Sequence, residues 1–127
     1  MYRDLRYQVS VVAQATYIDE QSNAAEGRFV FTYTVTIQND GTLPAQLLYR
    51  YWKITDGEGA VREVHGDGVV GEQPTIVPGD AFTYTSGAVL ETAVGTMEGH
   101  FDMLAADGES FQASIPLFSL SKPSALH

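Results

Sequence analysis

Three glycines in the middle of the chain have the spacing of a nucleotide-binding fingerprint. Gly66, Gly68 and Gly71 follow the pattern G-x-G-x-x-G, which in dinucleotide-binding proteins turns a strand into a helix whose N-terminal amides hold a pyrophosphate. Here Pro74 and residues 75–78 (TIVP) follow, and this stretch does not continue as a helix. The context therefore predicts a glycine-shaped loop with positive φ angles.

Phosphate binding without a helix is the alternative interpretation, because successive amides of a glycine turn can form an anion-binding nest. The local charge opposes it: within residues 62–74, Arg62 is the single cation beside Glu63, Asp67 and Glu72. Two like charges about 4 Å apart repel by about 4 kcal/mol at an effective dielectric of about 20, which offsets several amide hydrogen bonds. A nucleotide or pyrophosphate at these glycines is therefore expected to need a divalent cation.

A second group has the residue types of a metal site. Glu98, His100 and Asp102 alternate, so on a strand they point to one face with neighbours about 7 Å apart. An imidazole between two carboxylates suits a divalent cation, although such a site needs a further ligand from another strand. An ordinary solvated face is the favoured interpretation, because Phe101 and Met103 supply the apolar opposite face.

No pattern in the sequence predicts catalysis. Ser86, Ser110 and Ser114 occur without a motif that places a base beside them, and the absence of cysteine excludes thiolate chemistry and disulfides. We expect a protein that is not an enzyme and holds no cofactor. An enzyme acting on a bound nucleotide is a third interpretation, for which the sequence displays no base or nucleophile.

Arg50 and Trp52 share a parity in a strand-like segment. Trp52 is favoured as a core anchor over a ligand platform. Arg50 on the same face needs a partner for its charge. We favour an ion pair with a carboxylate on the strand face over a role in binding a partner protein.

The overall charge limits the classes of partner. Sixteen acidic against seven basic side chains give a formal charge of −9 over 127 residues, and the cations form no cluster. Nucleic-acid binding is therefore not expected, whereas cations and basic protein surfaces are. The apolar runs are too short for a membrane span and the N-terminal residues show no apolar leader. We expect a single domain over residues 1–127, cytoplasmic and without a membrane partner.

Alternating apolar residues indicate the elements that position these groups. In residues 29–37 the odd positions are aromatic or β-branched and the even positions are mostly threonine, as in a half-buried strand. Further strands are predicted over residues 9–17, 46–54, 82–85, 97–103 and 111–117.

Residues at alternate positions of a strand point to the same face, which predicts the side chains that point toward the core. Leu48 has the parity of Trp52, and Leu117 has that of Ile115, so both are predicted to face the core.

Turn signals separate the strands, and no window of helix length has a 3.6-residue apolar stripe. The pattern predicts an all-β fold, an antiparallel β-sandwich of the immunoglobulin or fibronectin type III-like type with seven to eight strands. A closed barrel is the alternative. The turns are predicted at residues 39–41 (NDG), 56–59 (DGEG), 78–80 (PGD) and 107–108 (DG).

Several long blocks, in order, resemble the ApaG family. The departures are small: Asp67 where glutamate is expected, Ala93 where proline is common and Phe101 where tyrosine is common. The resemblance implies a fibronectin type III-like sandwich, in agreement with the periodicity. The blocks are residues 29–39 (FVFTYTVTIQN), 46–55 (QLLYRYWKIT), 66–74 (GDGVVGEQP), 84–87 (YTSG), 90–92 (LET) and 95–101 (GTMEGHF).

For function, the resemblance implies a link to cobalt resistance and magnesium efflux, and bacterial members are encoded beside a diadenosine-tetraphosphate hydrolase. Eukaryotic relatives carry the domain in an F-box ubiquitin-ligase subunit and a polymerase-delta-interacting protein, which implies a protein-interaction module. No catalytic residues are implied. We therefore expect a non-catalytic module that binds a protein partner, with nucleotide or pyrophosphate binding at the glycine loop, with a divalent cation, as the alternative.

Overall fold

The computed structural model describes residues 4–124, which form eight strands and two short 3-10 turns. The 3-10 turns, Asp19–Gln21 and Ala24–Glu26, both lie between the first two strands. No helical segment within residues 4–124 is long and apolar enough to cross a membrane. The strands are β1 (Val9–Tyr17), β2 (Phe29–Asn39), β3 (Ala45–Asp56), β4 (Val61–Asp67), β5 (Thr75–Ile76), β6 (Ala81–Leu90), β7 (Val94–Ala105) and β8 (Ser110–Ser121).

The strands form two antiparallel sheets, which confirms the predicted sandwich. One sheet has the order β1-β2-β6, and the other has the order β4-β3-β7-β8, with the short β5 beside the start of β3. β1 packs against β8, which closes one side of the sandwich. On the other side the edge strands β4 and β6 do not pair, and residues of both line a cleft between the sheets.

The alternation of β2 places its apolar side chains between the sheets, as predicted. Phe31, Val35 and Ile37 are completely buried, whereas Thr34 on the outer face hydrogen-bonds Thr85 of β6 at 2.9 Å. Trp52 is 2% exposed and packs edge-on against Tyr33 with ring centroids 5.3 Å apart. The prediction of Trp52 as a core anchor is confirmed.

Two bulges reverse the predicted parity. In β3, Leu47 pairs with Met103 and Tyr49 with Asp102, so Leu48 is an extra residue. The buried leucine is therefore Leu47, and the prediction that Leu48 faces the core is wrong.

The second bulge lies in β8. Ile115 pairs with Gly99 and Phe118 with Met97, so three steps along β8 match two along β7. Pro116 has no N–H for the ladder, which favours an irregularity at this point. Leu117 is consequently 57% exposed, and its predicted inward orientation is wrong.

All four predicted turns lie between strands, and the first of them depends on a buried amide. Asn39 is 1% exposed, and its Nδ2 donates to the carbonyls of Leu43 and Ile76, both at 2.8 Å. Its Oδ1 accepts from the Gly41 amide at 2.8 Å. One side chain thus satisfies three backbone groups where β2 ends.

Candidate functional site

Three neighbouring strands carry matched side chains on the outer face of the larger sheet. Tyr51 of β3 pairs with His65 of β4 on one side and with His100 of β7 on the other. Both imidazole centroids lie 5.0 Å from the Tyr51 ring, and the His100 ring is stacked on it at 29°. The result is a continuous aromatic row across three strands.

Acidic rungs lie on both sides of this row. Tyr49 lies between Asp67 and Asp102. We call the three rungs together the aromatic–acidic ladder; it has four carboxylates and one ammonium group. Its rungs, each written from β4 through β3 to β7, are Asp67–Tyr49–Asp102, His65–Tyr51–His100 and Glu63–Lys53–Glu98.

A repeated motif in the sequence explains the ladder. Residues 63–67 (EVHGD) and 98–102 (EGHFD) both read E-x-H-x-D, and residues 49–53 (YRYWK) between them read Y-x-Y-x-K. Since β4 and β7 both pair antiparallel with β3, matching positions of the two motifs meet the same residue of β3. Sequence reasoning used only the second motif and missed Tyr51, His65 and Lys53.

The Tyr51 hydroxyl is held as a hydrogen-bond donor within the ladder. It donates to Glu63 Oε2 at 2.9 Å. That hydrogen bond, followed by desolvation and by the charges of Glu63 and Glu98, raises the pKa of Tyr51 above its ordinary value. The phenol therefore stays protonated, and its ring supports both imidazoles.

The predicted metal ligands Glu98, His100 and Asp102 each lie on a different rung of the ladder, at its β7 end. His100 Nε2 lies 3.7 Å from Asp102 Oδ1, and Gln112 Nε2 lies 3.2 Å from the same carboxylate oxygen. Glu98 stands on the rung of Lys53. Within residues 4–124 no three His, Asp or Glu side chains are grouped so as to hold a metal ion, and the metal site stays a prediction.

Of the three serines considered in the sequence, Ser114 is the one that the register brings opposite a histidine. It pairs with His100 across β7 and β8. The near neighbours of His100 Nε2, however, are Asp102 and Gln112, at 3.7 Å and 3.4 Å. His100 Nε2 therefore lies toward the neighbouring rung of Asp102 and Gln112, and no hydrogen bond joins it to Ser114 within residues 4–124.

The glycine segment is partly strand and partly turn. Gly66 belongs to β4, whereas Gly68 has φ +59° and Gly71 has φ +79°. Val69 and Glu72 exchange two backbone hydrogen bonds, which makes a two-residue hairpin with Val70 (φ +49°) and Gly71 at its tip. The predicted loop with positive φ therefore begins at Gly68, and Gly66, the first glycine of the pattern, lies in the strand.

Three amides of this hairpin, those of Gly68, Val69 and Glu72, already have carbonyl partners. Gly68 N–H donates to Leu48 O at 2.7 Å, Val69 N–H to Glu72 O at 2.8 Å, and Glu72 N–H to Val69 O at 3.0 Å. An anion nest needs such amides to point at the ligand. The amide of Gly68 is therefore already used within the protein, and phosphate binding at Gly66, Gly68 and Gly71 stays a prediction.

Arg50 contacts the carbonyl groups of the same segment. Its Nη1 donates to Asp67 O at 3.0 Å and to Gly68 O at 2.9 Å. Arg50 forms no salt bridge with any carboxylate of residues 4–124, so the predicted ion pair is wrong. Gly66 lies opposite Arg50 and leaves room for the guanidinium, which explains why backbone carbonyls replace a carboxylate partner.

Fold and surface together define a class: a two-sheet, antiparallel β-sandwich of the fibronectin type III-like kind with an aromatic, acidic sheet face. The chain belongs to the ApaG family, because the ApaG domain matches residues 19–105.

Related proteins match this chain in sequence over nearly its whole length. The chain is 54% identical to the protein ApaG of Azoarcus sp. strain BH72, with 100% of both chains covered. It is 56% identical to the protein ApaG of Pseudomonas aeruginosa, with 98% of both covered. The crystal structure of a Bordetella pertussis protein named ApaA is 43% identical, with a TM-score of 0.93 over 97% of this chain and 100% of that one. A second X-ray structure is 45% identical, with a TM-score of 0.90 over 97% and 93% of the two chains.

Proposed function

We propose that this protein is a non-catalytic interaction module whose aromatic–acidic ladder binds a basic segment of a partner protein. The supporting observation is the repeated E-x-H-x-D motif on both sides of Tyr49 and Tyr51. Aromatic faces flanked by carboxylates favour arginine and lysine side chains, which stack on the rings and pair with the acids.

The charge of the whole chain supports the same class of partner. A formal charge of −9 steers a basic segment toward the protein at low ionic strength. Tyr49 is 49% exposed, so the end of the ladder is accessible to a partner. Tyrosine at an accessible, partly apolar position is typical of interface residues.

The experiment is photo-crosslinking from two matched positions. A photoreactive phenylalanine analogue replaces either Tyr49 on the ladder or Val12 on the outer face of the other sheet, where Val12 is 68% exposed. We expect crosslinks from position 49 to peptides rich in arginine and lysine, and a decrease of this crosslinking as salt rises. Equal crosslinking from position 12, or a yield independent of salt, contradicts the proposal.

The proposal extends to the cytoplasmic role in divalent-cation resistance or efflux that the family resemblance implies. In a bacterium lacking its own family member, the wild-type chain is expected to restore growth on cobalt. Val12→Lys should restore it equally, whereas Tyr49→Lys should not, because the new ammonium group repels a basic partner. Full activity of Tyr49→Lys argues against the ladder as the functional surface.

Nucleotide or pyrophosphate binding at the glycine loop is the second hypothesis and has less support. The test is a titration with ATP and pyrophosphate, with and without magnesium, that follows the backbone amides of residues 65–74. Magnesium-dependent shifts of these amides at millimolar ligand support the hypothesis. Unmoved amides remove it.

A further inference from the structure

The cleft between edge strands β4 and β6 contains two arginines and no acid. It has a volume of about 200 Å³ and lies on the side of the sandwich opposite the β1–β8 contact. Arg50, Arg62, Trp52, Tyr33 and Ser86 line it together with apolar residues, and none of the lining residues is Asp or Glu. Arg62 also lines the adjoining pocket, where Asp56 and Glu91 lie, so the cleft itself is the part of this surface that has arginine without acid.

The register explains how both arginines reach the cleft. Arg62, Val64 and Gly66 of β4 pair with Ile54, Trp52 and Arg50 of β3. These residues share the inner face with the buried Trp52 and not the outer face with the aromatic–acidic ladder. The cleft therefore opens on a different face of the sheet from the ladder, and Arg50 lines both the cleft and the surface pocket beside Tyr49 and Asp67.

Neither arginine is neutralised by an acid of the described chain. Arg62 Nη2 donates to the carbonyl of Val89 at 3.4 Å, a long hydrogen bond, and Arg50 uses Nη1 for the carbonyls of Asp67 and Gly68. No carboxylate of residues 4–124 forms a salt bridge with either. Arg50 is partly buried and Arg62 is exposed at the mouth of the cleft. Two guanidinium groups that line one cleft without a carboxylate partner favour an anion.

Unpaired polar groups are found in the same part of the interior. The Nε1 of Trp52, which lines the cleft, and the hydroxyl of Tyr84 on the inner face of β6 are buried without a hydrogen-bond partner within residues 4–124. Buried polar groups nearly always have partners. The Trp52 group, which lines the cleft beside two arginines without a carboxylate partner, indicates a site that a ligand completes.

We propose that this cleft binds a compact oxyanion, the phosphate or carboxylate group of a small molecule, with Arg50 and Arg62 as its charged anchors. Guanidinium groups present two parallel N–H donors that fit either oxyanion. The small side chains of Ser86, Gly87 and Ala88 on β6 leave the space that the ligand occupies. In this arrangement the glycine segment acts indirectly, because Gly66 and the loop carbonyls position Arg50.

The test follows backbone amides during separate titrations with inorganic phosphate and with acetate, each against chloride at equal ionic strength. We expect saturable shifts at residues 62–66 and 84–88 with at least one of the two. The anion that saturates first identifies the ligand class. No saturable shift with either anion, or shifts confined to residues 68–72, overturns the proposal.

Three variants separate the cleft from general electrostatics. Arg62→Gln is expected to weaken binding about tenfold or more, because one bidentate anchor is lost. Arg28→Gln removes the same charge outside the cleft and should leave the affinity unchanged. Ser86→Leu should abolish binding by filling the space. An equal loss in Arg28→Gln, or full binding by a folded Ser86→Leu, contradicts the proposal.

Discussion

Gly66 lies directly opposite Arg50 in the β3–β4 pair, and the guanidinium occupies the space that a side chain at Gly66 would need. A Cβ at Gly66 would lie 2.5 Å from Arg50 Cζ and 2.6 Å from both terminal nitrogens. The absence of a side chain at Gly66 therefore allows Arg50 to reach the carbonyls of Asp67 and Gly68.

Gly66→Ala is expected to lower the free energy of unfolding by about 1–3 kcal/mol, because the new methyl group displaces Arg50 from its hydrogen bonds. Urea denaturation measures the change. Gly87→Ala is the matched control in another strand, where a Cβ would meet only Phe31 O, at 3.6 Å, and its effect should stay within about 0.5 kcal/mol. Similar effects at both positions would contradict this role of Gly66.

Val70 is a strained residue at the tip of the hairpin. It has φ +49° and is 62% exposed, a conformation that is unfavourable for a β-branched side chain by about 1–2 kcal/mol. Val70→Asn creates the Asn-Gly pair that two-residue hairpins favour and should raise the free energy of unfolding by about 1 kcal/mol. Val77→Asn, at a position 49% exposed without positive φ, should bring no such gain. A loss of stability in Val70→Asn would show that the valine makes a contact that outweighs its strain.

Asn39 should tolerate no change of its amide. In Asn39→Asp an oxygen replaces Nδ2 and faces the carbonyls of Leu43 and Ile76, which lose their donor. We expect a loss of about 3 kcal/mol in the free energy of unfolding. Gln38→Glu makes the same chemical change at the exposed neighbour and should stay within about 0.5 kcal/mol. A small effect of Asn39→Asp in thermal or chemical denaturation would refute this account.

Removal of the hydroxyl should have opposite effects on the free energy of unfolding at Tyr84 and at Tyr7. Tyr84 has no partner for its buried hydroxyl, so Tyr84→Phe should be neutral or stabilising by about 1 kcal/mol. Tyr7 donates to Asp107 Oδ2 at 2.6 Å, so Tyr7→Phe should lower stability. Destabilisation by Tyr84→Phe would reveal a partner for that hydroxyl.

The same pair predicts how stability changes at alkaline pH. Burial raises the pKa of Tyr84, and the hydrogen bond to Asp107 raises the pKa of Tyr7 to about 12. The unfolded chain therefore loses these protons first, near pH 10, and stability present below about pH 10 is lost as the pH rises above it. In denaturation at about pH 8 and about pH 11, Tyr84→Phe should lose less stability than the wild type. Parallel losses in both would count against a raised pKa at Tyr84.

The sequence by itself determined the fold class and most of the strands. The alternation of apolar and polar residues indicates which face of a strand each side chain occupies, so Phe31, Val35 and Ile37 were correctly assigned to the core. The turn at residues 107–108 was likewise correct, since local chemistry decides such turns: the Glu109 amide donates to Asp107 Oδ1 at 3.1 Å. These features depend on interactions between residues close in sequence.

Only the tertiary structure decided which residues meet across strands. The bulge at Leu48 and the one beside Pro116 each shift the register by one residue. The position of such a shift depends on the partner strand, so the pattern within one strand does not predict it. His65 and His100 are 35 positions apart, and they meet on either side of Tyr51 because both of their strands pair with β3. The partner of Arg50 depends likewise on Gly66 lying opposite it. The geometry of a single strand determines which face each side chain occupies. The composition of a site depends instead on which distant segments pair, and the packing of the whole sandwich determines that pairing.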